Sequence, residues 1–151
     1  MDEWHGLGDA GRCKQRFIVL SIMKSNPTID PDALRGVSVL VVEDAWHVAK
    51  AMKILLEQRG MEVMGPAATA MEARHLLATG KPLVALVDVN LKGELAWDLI
   101  DELREDGITV VVISGYPEPR ASQGAPITYL QKPYNAAELI AALHAILDTR
   151  G

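Results

Sequence analysis

The chain has 151 residues, of which 49% are apolar and 23% charged, the proportions of one packed domain rather than of a disordered segment. Fifteen basic residues against 20 acidic ones leave a net charge of −5, which argues against nucleic acid as the main partner, since a phosphate backbone calls for a basic face. A single cysteine, Cys13, excludes an internal disulfide framework and a cysteine-based zinc cluster, and no apolar run approaches the roughly 18 residues of a membrane span. No membrane partner is expected, and a cytoplasmic location is.

Residues 1–36 are expected to be an N-terminal extension and linker. Residues 1–14 are polar and glycine-rich, and 17–23 form a short apolar burst behind Arg12, Lys14 and Arg16. The acidic start, and Lys24, Ser25, Asn26 and Pro27 directly after the burst, do not fit a cleaved leader. Docking of one turn or strand on the domain is the plain expectation. A translation start at Met23 is the alternative.

From Val37 to Arg150 apolar β-branched runs alternate with segments of helical period. Residues 37–42 (VSVLVV), 83–87 (LVALV) and 108–113 (ITVVVI) are nearly all apolar, as strands buried on both faces of a parallel sheet are. Residues 61–64 and 127–130 are shorter and more polar, which suits edge strands. Val48, Met52, Leu55 and Leu56 mark a first helix that Arg59-Gly60 stops. Residues 71–77 mark a second, and Leu95, Leu99 and Leu103 a third ending at Gly107. Asn135 and Glu138 have the spacing of a capping box ahead of Leu139, Leu143, Ile146 and Leu147. Between Ser114 and Ile127, three prolines and two glycines leave room for only a turn or two of helix, around 118–123, in what is expected to be the most mobile stretch. Five such βα units, joined by right-handed crossovers, predict an α/β fold: a doubly wound five-stranded parallel sheet in a three-layer sandwich.

Open sheets of this kind bind ligands beyond the carboxyl ends of their strands. The first apolar run stops at Glu43-Asp44, the third at Asp88, the fourth at Ser114-Gly115, and Lys132-Pro133 follows the fifth. Three carboxylates, a hydroxyl and an ammonium therefore share one rim. Crowded carboxylates repel one another unless a cation sits among them, and hard oxygen ligands favour Mg²⁺. Each residue taken alone reads as a turn or a helix cap; together they form a constellation.

That constellation resembles the response-regulator receiver domain of two-component signalling over residues 37–150. The resemblance implies a flavodoxin-like (βα)5 sandwich with strand order 2-1-3-4-5 and a protein that is not an enzyme beyond its own phosphorylation and dephosphorylation. It implies Asp88 as phosphoacceptor, Mg²⁺ on Glu43, Asp44, Asp88 and the backbone carbonyl of Asn90, and Ser114 and Lys132 on the phosphoryl oxygens. A Lys132-Pro133 bond of the cis form, and a switch in which Ser114 moves inward and Tyr129 turns into the vacated space, follow in the same way. Ser114-Gly115-Tyr116 and Tyr134 are similar to a subclass of single-domain, stand-alone receivers, which implies as partner a sensor histidine kinase of the HWE or a related type, or a histidine phosphotransfer protein. Lys92, where many receivers have proline, is expected to loosen the loop after Asp88, and Tyr116 to shield the acyl phosphate from water. No output domain is expected in what the receiver leaves over, so the function expected is signalling through protein contacts, or shuttling or draining phosphate, with room for a homodimer. The alternative is a degenerate receiver acting as a phosphorylation-independent adaptor. A phosphatase of the haloacid type would want aspartate where this chain has Asn90, and a dinucleotide module would want a glycine fingerprint after residues 37–42.

Overall fold

The β-branched runs do form the middle of a sheet. In the computed structural model, which describes residues 32–115 and 127–150, the strands are β1 (Ser38–Val42), β2 (Glu62–Ala67), β3 (Val84–Asp88), β4 (Asn90–Leu91), β5 (Glu94–Leu95), β6 (Thr109–Ser114) and β7 (Thr128–Gln131). The helices are α1 (Trp46–Gln58), α2 (Ala70–Leu77), α3 (Trp97–Glu105) and α4 (Ala136–Arg150). Five strands pair in parallel in the order β2-β1-β3-β6-β7, and β4 and β5 make a separate antiparallel ribbon.

Strand periodicity divides the core in two, because successive side chains point to opposite faces. Val39 and Val41 of β1, Leu86 of β3 and Val111 and Ile113 of β6 pack with Met52 and Leu56 of α1 and Leu139 and Leu143 of α4. Leu40, Val42, Ala85, Val87, Val110 and Val112 face the other way, onto Ala73 of α2 and Leu99, Ile100 and Leu103 of α3. Helices therefore cover both faces, and β3 is buried along its whole length. The core also takes in Leu34, ahead of the first strand and 1% exposed. The chain from Leu34 onward forms one compact unit.

Helix ends follow local chemistry. Thr69 accepts the Glu72 N–H at 3.0 Å to start α2. Asn135 Oδ1 accepts the Glu138 N–H at 2.8 Å while Glu138 Oε1 accepts the Asn135 N–H at 2.9 Å, so the reciprocal box forms at the start of α4. Strand β2 runs past residue 64, through a cis Gly65-Pro66 bond, to Ala67. It is an edge strand, where the proline lacks no N–H that an inner ladder would need.

One helical expectation is corrected. Leu95 is not on α3 but in β5, and is 58% exposed, because the chain after Asp88 folds into a hairpin before the helix begins at Trp97. Lys92 and Gly93, with φ of 55° and 86°, form its two-residue turn, the left-handed geometry that matches the twist of a tight hairpin. Asn90 pairs with Leu95 and Leu91 with Glu94, and Asn90 Oδ1 accepts the Gly93 N–H at 2.7 Å. Lys92 does not loosen this loop, which is a hydrogen-bonded ribbon. The expectations for the stretch at residues 17–23, the short helix around 118–123, its mobility, and Tyr116 lie outside the described residues.

Candidate functional site

Parallel strands in one sheet end on one rim, and the residues that stop the apolar runs meet there. Glu43 follows β1, Asp88 closes β3, Ser114 closes β6 and Lys132 follows β7. Glu43, Asp88 and Ser114, at 3%, 3% and 6% exposure, are the buried polar residues among the described ones. Glu43, Asp44, Asp88, Asn90 and Lys132 line one open cleft of about 490 Å³, together with Ala45, Val89, Lys92, Gly93 and Gly115. Ser114 itself does not line it; Gly115 does. Tyr129 lies away from the cleft, half-buried on the α2–α3 side of the sheet with its Cα opposite Val112. The Lys132-Pro133 bond is cis.

Both oxygens of Asp88 are held. Oδ1 accepts the Asn90 N–H at 3.0 Å, and Oδ2 meets Lys132 Nζ at 2.5 Å, an ion pair buried on the carboxylate side. The Lys132 N–H in turn donates to the Ser114 carbonyl at 2.8 Å, which ties the ends of β6 and β7 together. Burial pulls the Lys132 ammonium down, but its hydrogen bond to Asp88 and the charges of Asp88 and Glu43 outweigh that and hold its pKa above the ordinary value.

Glu43 is the odd member. Its Oε2 accepts the Ala45 N–H at 3.2 Å, but Oε1 is buried with no hydrogen-bond partner. Burial, helped by the charge of Asp88 and opposed by the Ala45 N–H and Lys132, pushes its pKa up to about 7. One oxygen from each of Glu43, Asp44 and Asp88 lies within 4.8 Å of the others. An orphaned buried carboxylate oxygen beside two more hard oxygens is a donor set suited to a small divalent cation, Mg²⁺ foremost.

Two residues near the cleft carry more weight here than in the sequence. Lys92 reaches it from the hairpin tip, and its one legible signal was the glycine that follows. Tyr134 is half-buried against the α1–α4 core, close enough to the rim that burial and then the charge of Glu43 raise the pKa of its hydroxyl.

Known proteins share both the sequence and this architecture. The sequence profile of the response regulator receiver domain matches residues 39–144. The transcriptional regulatory protein PdtaR of Mycobacterium tuberculosis is 28% identical over 124 residues, covering 79% of this chain and 60% of that protein. The chain thus spans about three-fifths of the length of that relative. The response regulator PhyR from Brucella abortus superposes with a TM-score of 0.74 at 25% identity, over 88% of this chain and 56% of that one. PhyR from Bartonella quintana, described as an anti-anti-sigma factor, gives 0.71 at 25% identity, over 90% and 56%. No helix among the described residues is long and apolar enough to cross a membrane. With the strand order, the acidic rim and the profile in agreement, the chain belongs to the response regulator receiver domain family of two-component signalling.

Proposed function

We propose that Asp88 accepts a phosphoryl group from a histidine kinase or a histidine phosphotransfer protein. The observation that carries this is the buried Asp88 carboxylate itself, clamped by the Asn90 N–H and Lys132 within reach of two further carboxylates. An Asp88 oxygen attacks phosphorus as the bond from phosphorus to the donor's imidazole nitrogen breaks. That nitrogen leaves with the bonding pair, and an aspartyl phosphate results. Lys132 already stands at the nucleophile and pairs with a phosphoryl oxygen as negative charge moves onto the transferred group. Glu43, Asp44, Asp88 and the Asn90 carbonyl would hold Mg²⁺, whose charge offsets that of the phosphoryl oxygens. Ser114, at the buried end of β6, turns its hydroxyl to a third oxygen, and Tyr129 follows into the space it leaves, a population shift between two packings.

The output is a protein contact that this shift remodels, with relay or drainage of phosphate as the other use of the same chemistry. The likeness to PhyR, one member of which is described as an anti-anti-sigma factor, supports a regulatory protein as the partner. The extension and linker end before Leu34, which belongs to the receiver's core rather than to the linker. The test is intact-mass spectrometry after incubation with acetyl phosphate and with a phosphorylated HWE-type kinase, with and without Mg²⁺. One Mg²⁺-dependent phosphoryl adduct, absent from Asp88→Asn, is the expected result. No adduct from either donor would leave the phosphorylation-independent adaptor in its place.

A further inference from the structure

Lys92 lines the cleft from the tip of the β4–β5 hairpin, and it is the one non-glycine residue with a positive φ among those described. A left-handed conformation crowds the Cβ of any L-residue other than glycine, and asparagine or glycine fills the first position of such a turn more readily than lysine. Residues kept in disfavoured backbone regions gather at functional sites. The tip is also rigidly tied to the nucleophile. Asp88 Oδ1 accepts the Asn90 N–H, Asn90 Oδ1 accepts the Gly93 N–H, and the Ala96 N–H donates to the Val89 carbonyl at 2.8 Å.

Charge gives the position a purpose. The cleft holds the carboxylates of Glu43, Asp44 and Asp88, and the ammonium of Lys132 is already engaged with Asp88. An incoming phosphoryl dianion would therefore find Lys132 shared with the nucleophile it is approaching. Lys92 is exposed at the mouth and makes no hydrogen bond or ion pair among the described residues, so its ammonium is available on a flexible stem. We infer that Lys92 is a phosphodonor-binding residue: its ammonium holds the phosphoryl oxygens of the donor at the cleft mouth before transfer, and so favours donors that present a dianionic phosphate. This deepens the phosphoacceptor reading and rests on it.

Lys92→Asn tests it, because asparagine accepts the left-handed turn and removes only the charge. With acetyl phosphate and with phosphoramidate, which carries a phosphorus–nitrogen bond, the half-saturating donor concentration should rise about three- to five-fold, the scale of one exposed charge contact. The loss should fall on half-saturation rather than on the rate at saturation, shrink at high salt, and be restored in Lys92→Arg. A shift with acetyl phosphate alone identifies small acyl phosphates as the donors Lys92 serves. An unchanged half-saturation with both donors overturns the inference. Binding of inorganic phosphate to Asp88→Asn protein in Mg²⁺, followed by ³¹P line broadening, reads the same contact without any transfer. There Lys92→Asn should weaken binding by a similar factor, and equal binding, or none, overturns the inference. Should the wild-type chain take phosphate from neither donor, the phosphoacceptor reading fails while this binding measurement still decides the role of Lys92.

Discussion

Asp88 and Lys132 form the ion pair on which the proposed transfer turns. The ammonium is positioned before any phosphoryl group arrives, so its removal costs stabilisation where charge develops rather than mere affinity. Lys132→Ala should slow phosphorylation by acetyl phosphate on the order of 10²-fold, measured by the rate of adduct formation at saturating Mg²⁺. Glu43 makes a pH prediction. Its pKa near 7 in the folded chain, against about 4.5 for a free carboxyl, means the folded state holds a proton that the unfolded state has lost. The contribution of Glu43 to the stability of the metal-free protein is therefore fully present below pH 4.5 and is lost as pH rises through about 7. Mg²⁺ must displace that proton, so its affinity should increase from pH 6 to pH 8. Glu43→Gln should flatten the stability profile above pH 5 and weaken Mg²⁺ binding, both readable by thermal melts at several pH values with and without the metal.

Leu95 and Leu99 separate what periodicity can and cannot tell. Both fall on one four-residue repeat, yet Leu99 is fully buried on α3 while Leu95 sits exposed in β5. Leu99→Ala should destabilise by about 2–5 kcal/mol and Leu95→Ala by no more than about 0.5 kcal/mol in denaturant titrations. If Leu95 belonged to the apolar face of the helix, the two losses would be alike. Asn135→Ala should cost about 1 kcal/mol by opening the box at the head of α4. The long strands were legible because five or six nearly all apolar residues in a row, rich in valine and isoleucine, have few alternatives, and the box because its two side chains lie a fixed three residues apart. Strands of two residues carry no period at all, so Gly93 was the one sign of the β4–β5 ribbon and of the left-handed Lys92 at its tip. The acidic rim was legible for a different reason: a carboxylate that interrupts an apolar run has to sit where the strand leaves the core. Which of Ser114 and Gly115 lines the cleft depends on the side-chain direction at the last residue of β6, and composition says nothing about that.

Strand order makes the site. Placing β1 and β3 side by side in the sheet brings the chain's acidic pair and Asp88 together, although all of α1, β2 and α2 separate them along the sequence. Three carboxylates facing one another with a single engaged ammonium leave the metal-free rim electrostatically frustrated, and a cation that binds only the folded state stabilises it by mass action. Millimolar Mg²⁺ should therefore raise the melting temperature, EDTA should reverse the rise, and Asp44→Ala should abolish it. The most direct measurement is the location of the phosphoryl group itself. After treatment with acetyl phosphate and Mg²⁺, borohydride reduces an aspartyl phosphate to homoserine, and peptide mass mapping then finds the position. Homoserine at residue 88, formed only with Mg²⁺, is the expected result; homoserine at another carboxylate, or an adduct that borohydride leaves untouched, would contradict Asp88 as the acceptor.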